Sequence, residues 1–266
     1  MSANKRSADD DGLSTRSVRR KSSTALHFSS GMRSIAVGEH DEQQTFDVHV
    51  KLLIKHSAHF KALIEAESLP DVKAESQETE KAIKQEDDCE PTVPIKSELQ
   101  LPDHEPESFG PFSSLIYTGH ICSGQEGDYD EESRSDAEWS RLADAWVLGC
   151  CIESTSFMDA IADALVAKLQ GGRYPRQLFT YLIDASPDGS PIRQLQADIV
   201  AYKWSPAAYQ EEFQEVDDLD FLRTLAKALG CLQLLTKAEI ETHFDRCGCR
   251  YHSHLQSEEA CYKTMF

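Results

Sequence analysis

The sequence predicts an α+β fold built on a small sheet. Strand-like alternation is confined to the segment before residue 102, whereas apolar residues at three-to-four spacing dominate from there on. The composition agrees, because 40% hydrophobic and 27% charged is ordinary for a globular chain. At 266 residues the chain is long enough to bury a core, and one domain with extensions suits that length better than two full domains.

Residues 1–30 are rich in Ser, Arg and Asp, lack apolar periodicity, and read as a disordered arm. The runs RSIAVG (33–38) and TFDVHV (45–50) read as two short strands, with polar GEHDEQQ turning the chain between them. Phe46, Val48 and Val50 alternate with Asp47 and His49, as in a half-buried strand. Leu52, Leu53, His56, Phe60, Leu63 and Ile64 then recur at helical spacing, so 51–66 is expected to be helix with a break near Ser57. Alternation returns at 95–101, a third strand with Lys96 at its edge.

Asp103 is the expected N-cap of a helix whose apolar face is Phe109, Phe112, Leu115 and Ile116 and whose end is Thr118-Gly119. Gly110-Pro111 is expected to interrupt that helix, since proline removes a donor and crowds the carbonyl of Glu107. Trp139, Leu142, Trp146 and Cys150 mark a helix over 137–152, in which Cys150 and Cys151 are expected to be buried. Phe157 to Leu169 repeats the spacing before Gly171-Gly172, which makes a helical hairpin. Further helices are expected over 175–183, 191–204, 219–229 and 237–244.

The formal charge is −19, which argues against binding nucleic acid by phosphate neutralisation. The acidity is local. Residues 65–108 hold fourteen acids against four lysines, and 126–138 hold seven acids against Arg134. Neither run carries enough apolar residues to offset the entropy of ordering it, so both are expected to be solvated loops. No apolar run reaches membrane-span length and the polar start is no signal peptide, so the eight cysteines are expected to be reduced thiols in the cytoplasm or nucleus.

Five motifs occur in order: FDVHVKLL (46–53), HSAHFKAL (56–63), LPDHEPESF (101–109), LIYTG (115–119) and LADAWVL (142–148). Together they resemble the BTB/POZ domain in the form common among standalone fungal proteins, over about residues 31–170. SPDGSPIR (186–193) and DIVAY (198–202) resemble the helical extension that follows the domain in such proteins. The resemblance implies a helical cluster flanked by a short mixed sheet, then a helical C-terminal extension. It also implies a non-enzymatic interaction module that often self-associates, serving as a transcriptional cofactor, a scaffold or a substrate adaptor of a cullin-type ubiquitin ligase. The organisation expected is an arm (1–30), the domain (31–170) with an acidic insert (about 67–94) and an acidic loop (about 123–136), a helical extension (171–246) and a Cys/His tail (247–266). The insert is longer than the family usually has, and Val50 stands where a basic residue is common. On this reading Phe109 and Phe112 are the partner-binding candidates, and the partners are proteins, not nucleic acid or membrane.

Three lysines of the insert, Lys73, Lys84 and Lys96, share the frame aliphatic-Lys-x-Glu, which resembles the acceptor consensus of the small ubiquitin-like modifier. A loop dense in Lys, Glu and Ile produces such tetrads by composition, so both readings stand. Lys5-Arg6 and Arg19-Arg20-Lys21 resemble a two-part nuclear import signal, and Ser22 beside them a basophilic kinase site whose phosphate would weaken the cluster. Cys247, Cys249, His252 and His254, with Cys261 beyond, are the best metal candidates, since thiolate and imidazole suit tetrahedral zinc. Their Cys-x-Cys and His-x-His pairs leave tight loops, and the expectation is a thiol-rich surface tail without metal or cofactor. His49, His56 and His59 invite an acid–base reading, but His56 and His59 flank Phe60 on a helix whose apolar face must pack, so structural histidines are expected.

Overall fold

Strand β1 (Met32–Val37) carries Ile35, Ala36 and Val37 fully buried, as a central strand must. The computed structural model describes residues 31–68, 99–124, 131–171, 174–205, 216–245, 248–257 and 259–266. Strand β2 (Gln44–His49) pairs antiparallel with β1, Phe46 opposite Ile35, and β3 (Leu99–Leu101) pairs parallel on the other side, Leu99 opposite Ile35. The order β2-β1-β3 makes a small mixed sheet and an α+β fold. Of the expected third strand, 95–98 lie outside the described residues, as do the arm 1–30 and most of the insert.

The break expected near Ser57 is real and has a cause. Helix α1 (Val50–His56) ends where Ser57 turns extended, and α2 (Ala58–Ser68) starts directly after it. The Ser57 hydroxyl accepts from Phe60 N at 3.0 Å, as an N-cap, and donates to Ile152 O at 2.5 Å. One serine thus ends one helix, starts the next and ties both to a turn about a hundred residues away.

Helix α3 (Pro106–Thr118) corrects two expectations. Asp103 is not its N-cap: Glu105 holds the boundary, and its carbonyl accepts from both Ser108 N (3.0 Å) and Ser108 Oγ (2.7 Å). Nor does Pro111 interrupt the helix, which runs through it. Pro111 comes early enough that the carbonyl losing its donor is that of Glu107, an exposed first-turn residue that water can reach, while the proline itself is buried. At the far end Gly119 takes φ 77°, and its N–H caps Leu115 O at 2.8 Å.

Helix α4 (Glu131–Cys151) begins earlier than the expected 137, so the end of the second acidic run is helix, not loop. Acidic residues are favoured in a first turn, where they face the positive end of the helix dipole. Cys151 is exposed and Cys150 half-buried, against the expectation of two buried thiols, because the last turn of α4 turns Cys151 outward while Cys150 packs at the edge of the core. Helix α5 (Thr155–Gly171) completes the hairpin. Then come α6 (Arg176–Asp184), α7 (Pro191–Lys203), α8 (Leu219–Leu232), α9 (Lys237–Glu241), α10 (His254–Ser257) and a 3-10 turn (Tyr262–Thr264).

A single apolar cluster runs from Ile35 of β1 to Phe221 of α8 and Tyr251, so the extension packs on the domain instead of standing apart. Its centre is aromatic. Phe109 meets Phe46 at 4.7 Å and Phe112 at 5.4 Å, and Phe112 meets Phe157 at 5.2 Å and Phe60 at 6.4 Å (ring centroids). Trp139 against Tyr174 and Phe179 against Phe221 carry the contact onward into the extension.

Buried Arg193 locks the 186–190 turn between α6 and α7. It donates to Ser186 O (2.8 Å), Ile183 O (3.1 Å) and Asp218 Oδ2 (2.6 Å), and Asp218 in turn caps α8 by accepting from Phe221 N at 2.8 Å. Arg193→Ala strands these acceptors and is expected to cost about 3–5 kcal/mol in urea unfolding. Arg193→Lys is expected to recover only part of this, because one ammonium cannot span the same fork. Gly119→Ala meets a left-handed backbone and a Cβ 2.8 Å from the Phe266 side chain, with an expected loss of about 1–2 kcal/mol.

Candidate functional site

After α9 the chain turns twice and is caught by a carboxylate on α7. Asp198, with no solvent exposure, accepts from Tyr251 Oη (2.7 Å) and Gln194 Nε2 (2.8 Å) and sits 3.1 Å from His243 Nε2 and 3.0 Å from Arg250. A buried carboxylate without partners is strongly unfavourable, so these contacts set where His243 and the 250–251 turn must lie. Asp159 of α5, also buried, then takes over. It accepts from Ser253 N (2.5 Å) and His254 N (3.4 Å), and its Oδ2 lies 2.5 Å from His254 Nδ1.

One turn further along α5, Asp163 meets the end of the chain. It accepts from Tyr262 Oη at 2.6 Å, pairs with Lys263 at 2.7 Å, and its Oδ1 lies 3.0 Å from His252 Nε2, a contact not aligned as a hydrogen bond. These anchors bring Cys249, His252, His254 and Cys261 together, one donor atom from each within 4.8 Å of the others. The two sulfurs are 3.8 Å apart, and Cys261 Sγ is 3.9 Å from His252 Nδ1.

The Cys/His segment is therefore no surface tail: His252 is 1% exposed and His254 7%. Cys261 supplies the fourth donor, and Cys247 lies outside the described residues. The four donors come from a turn (Cys249), from His252, from the first residue of α10 (His254) and from Cys261 seven residues further on. Sequence reasoning missed Asp159, Asp163 and Asp198. Their signal was available: Asp159 and Asp163 stand four apart in the otherwise apolar run 157–167, hence on one face.

The other candidates fall elsewhere. Phe109 and Phe112 are fully buried, so they are core residues and not a surface for a partner, a correction forced by their place in the aromatic cluster. Lys73, Lys84, Lys96 and Ser22 lie outside the described residues. His49 Nδ1 is 2.8 Å from Tyr117 Oη, and His59 packs edge-on to Phe60. A cleft lined by Trp146, Cys150, Met158 and Pro187 lies between α4, α5 and the 186–191 turn. Burial, and then neighbouring Cys151, pushes the Cys150 thiol up to about 12, so it stays protonated at neutral pH and makes a poor nucleophile. Comparison with protein-family models, curated proteins and solved structures finds no match to this chain.

His56 is buried, stacked 5.4 Å from the Phe266 ring, with Nδ1 3.4 Å from Ser156 Oγ. Burial, and then the charge of Lys55, lowers its pKa to about 4. Between pH 6.5 and 4 the unfolded chain binds a proton that the folded chain refuses, so stability falls as pH drops through that window, by up to about 3 kcal/mol. His56→Gln is expected to flatten this part of the pH profile. Equal slopes in urea midpoints for the two proteins between pH 7 and 4.5 would refute the assignment.

Proposed function

We propose that the chain is a non-enzymatic protein-interaction module of BTB/POZ-like kind, working by self-association or by pairing with a second protein in the cytoplasm or nucleus. One observation carries the reading: the motifs behind the resemblance, scattered over about a hundred residues, converge on one core. FDVHVKLL supplies Phe46, HSAHFKAL supplies Phe60 and LPDHEPESF supplies Phe109, and all three rings pack on or beside the α3 aromatics. LIYTG and LADAWVL add Leu115, Ile116, Leu142 and Trp146 to the same cluster. A small mixed sheet beside a helical cluster, followed by a packed helical extension, also accords with what the resemblance implies.

With Phe109 and Phe112 in the core, contact with a partner passes to outward side chains, among them Leu63 of α2 and Met32 of β1, which are 38% and 53% exposed. The ubiquitin-ligase adaptor reading is weakened by the same finding, since α3 turns Glu107 and Gly110 outward and leaves Ser113 and Ser114 half-exposed. Light scattering on the full chain after size exclusion tests the module reading. A concentration-dependent dimer is expected, with a lower dimer fraction in Leu63→Glu and Met32→Glu. A chain that stays monomeric at all concentrations and captures no protein partner refutes it. Phe112→Ala is expected to cost about 3–5 kcal/mol of stability.

A further inference from the structure

We propose that Cys249, His252, His254 and Cys261 bind one zinc ion in a closed, structural site that fastens the C-terminal segment to α5. This stands independently of the interaction reading. The donor set is the first argument: two sulfurs and two imidazole nitrogens are the ligands of four-coordinate structural zinc. Geometry is the second. Two thiolates at zinc–sulfur distances of about 2.3 Å on a tetrahedron stand about 3.8 Å apart, and Cys249 Sγ and Cys261 Sγ are 3.8 Å apart.

The surroundings of the two histidines are the third argument. Zinc-binding histidines commonly turn their second nitrogen to a carboxylate, which fixes the ring and its tautomer. Here each has one. Asp159 engages His254 Nδ1, leaving Nε2 with the lone pair to give, and Asp163 lies against His252 Nε2, leaving Nδ1, the nitrogen 3.9 Å from Cys261 Sγ. Both carboxylates project from α5, so the ion would tie two distant stretches of chain to one rigid helix. On binding, Cys249 and Cys261 release their thiol protons to solvent and the histidines bind as neutral rings.

The consequence reaches beyond the tail. The same segment ends at Phe266, which covers the end of α3 at Gly119 and stacks on His56 of α1. An ion holding Cys249 to Cys261 would keep that cover in place.

The test uses the full chain purified under reducing conditions without chelator. Elemental analysis is expected to find about one zinc per chain, and cobalt(II) exchanged into it should give tetrahedral ligand-field bands with sulfur-to-cobalt charge transfer. Cys261→Ser and His254→Asn should each weaken binding at least tenfold, Cys247→Ser should leave it unchanged, and Asp163→Asn should weaken it about 10–100-fold. Circular dichroism on each variant separates metal loss from unfolding, and the cobalt spectrum of the unaltered chain needs no variant. Removing the metal should expose the segment after residue 248 to protease. The proposal is overturned by a reduced, folded chain that takes up neither zinc nor cobalt. It is equally overturned by a Cys249–Cys261 disulfide in place of metal, or by metal retained in Cys261→Ser and lost in Cys247→Ser.

Discussion

A carboxylate cannot remain charged in an apolar interior without close partners, and this constraint organises the last third of the molecule. Asp198 and Asp159 are buried on neighbouring parts of the helical cluster, and most of their partners come from 243–254. The chain must therefore cross from α7 to α5 in that order, since each aspartate satisfies the next stretch. Asp163 completes the series with Tyr262 and Lys263. Three aspartates thus determine the course of a segment with little regular structure and few apolar residues of its own.

The first two thirds are governed by a different force. The aromatic cluster around Phe112 joins β2, α2, α3 and α5, and its packing is non-directional in origin but specific in shape. Polar groups enter this region mainly as joints. Ser57 is the clearest: one hydroxyl caps α2 and holds the turn between α4 and α5. Arg193 plays the corresponding part in the extension, linking the end of α6, the 186–190 turn and the cap of α8. Apolar contacts supply cohesion, and these few polar joints decide the angles at which elements meet.

Much of the fold was legible because periodicity reports which face of an element is buried. The alternation at 45–49, the break at Ser57, the helical hairpin and the end of α3 at Gly119 all follow from local patterns whose physical cause is local. Errors arose where a neighbour overruled local preference. Pro111 is accommodated within α3 because its ring is buried and the orphaned carbonyl is near the helix start. Asp103 has the right chemistry for a cap, yet Pro106 sets the first turn two residues later than an Asp103 cap would. Cys151 sits in an apolar run but on the outward side of the last turn of α4.

The sequence alone determined the α+β class, the segregation of acidic charge into particular runs, and the residue types able to bind a soft metal. Each of these depends on composition or short-range spacing. Tertiary structure alone decided that Phe109 and Phe112 face inward, and that Cys261 joins Cys249 and the histidines. It also brought Asp159, Asp163 and Asp198 to the segment that needs them. The reason is distance along the chain: His254 and Asp159 are separated by 95 residues yet lie 2.5 Å apart, and no spacing rule in a single sequence encodes a meeting made by the packing of intervening helices.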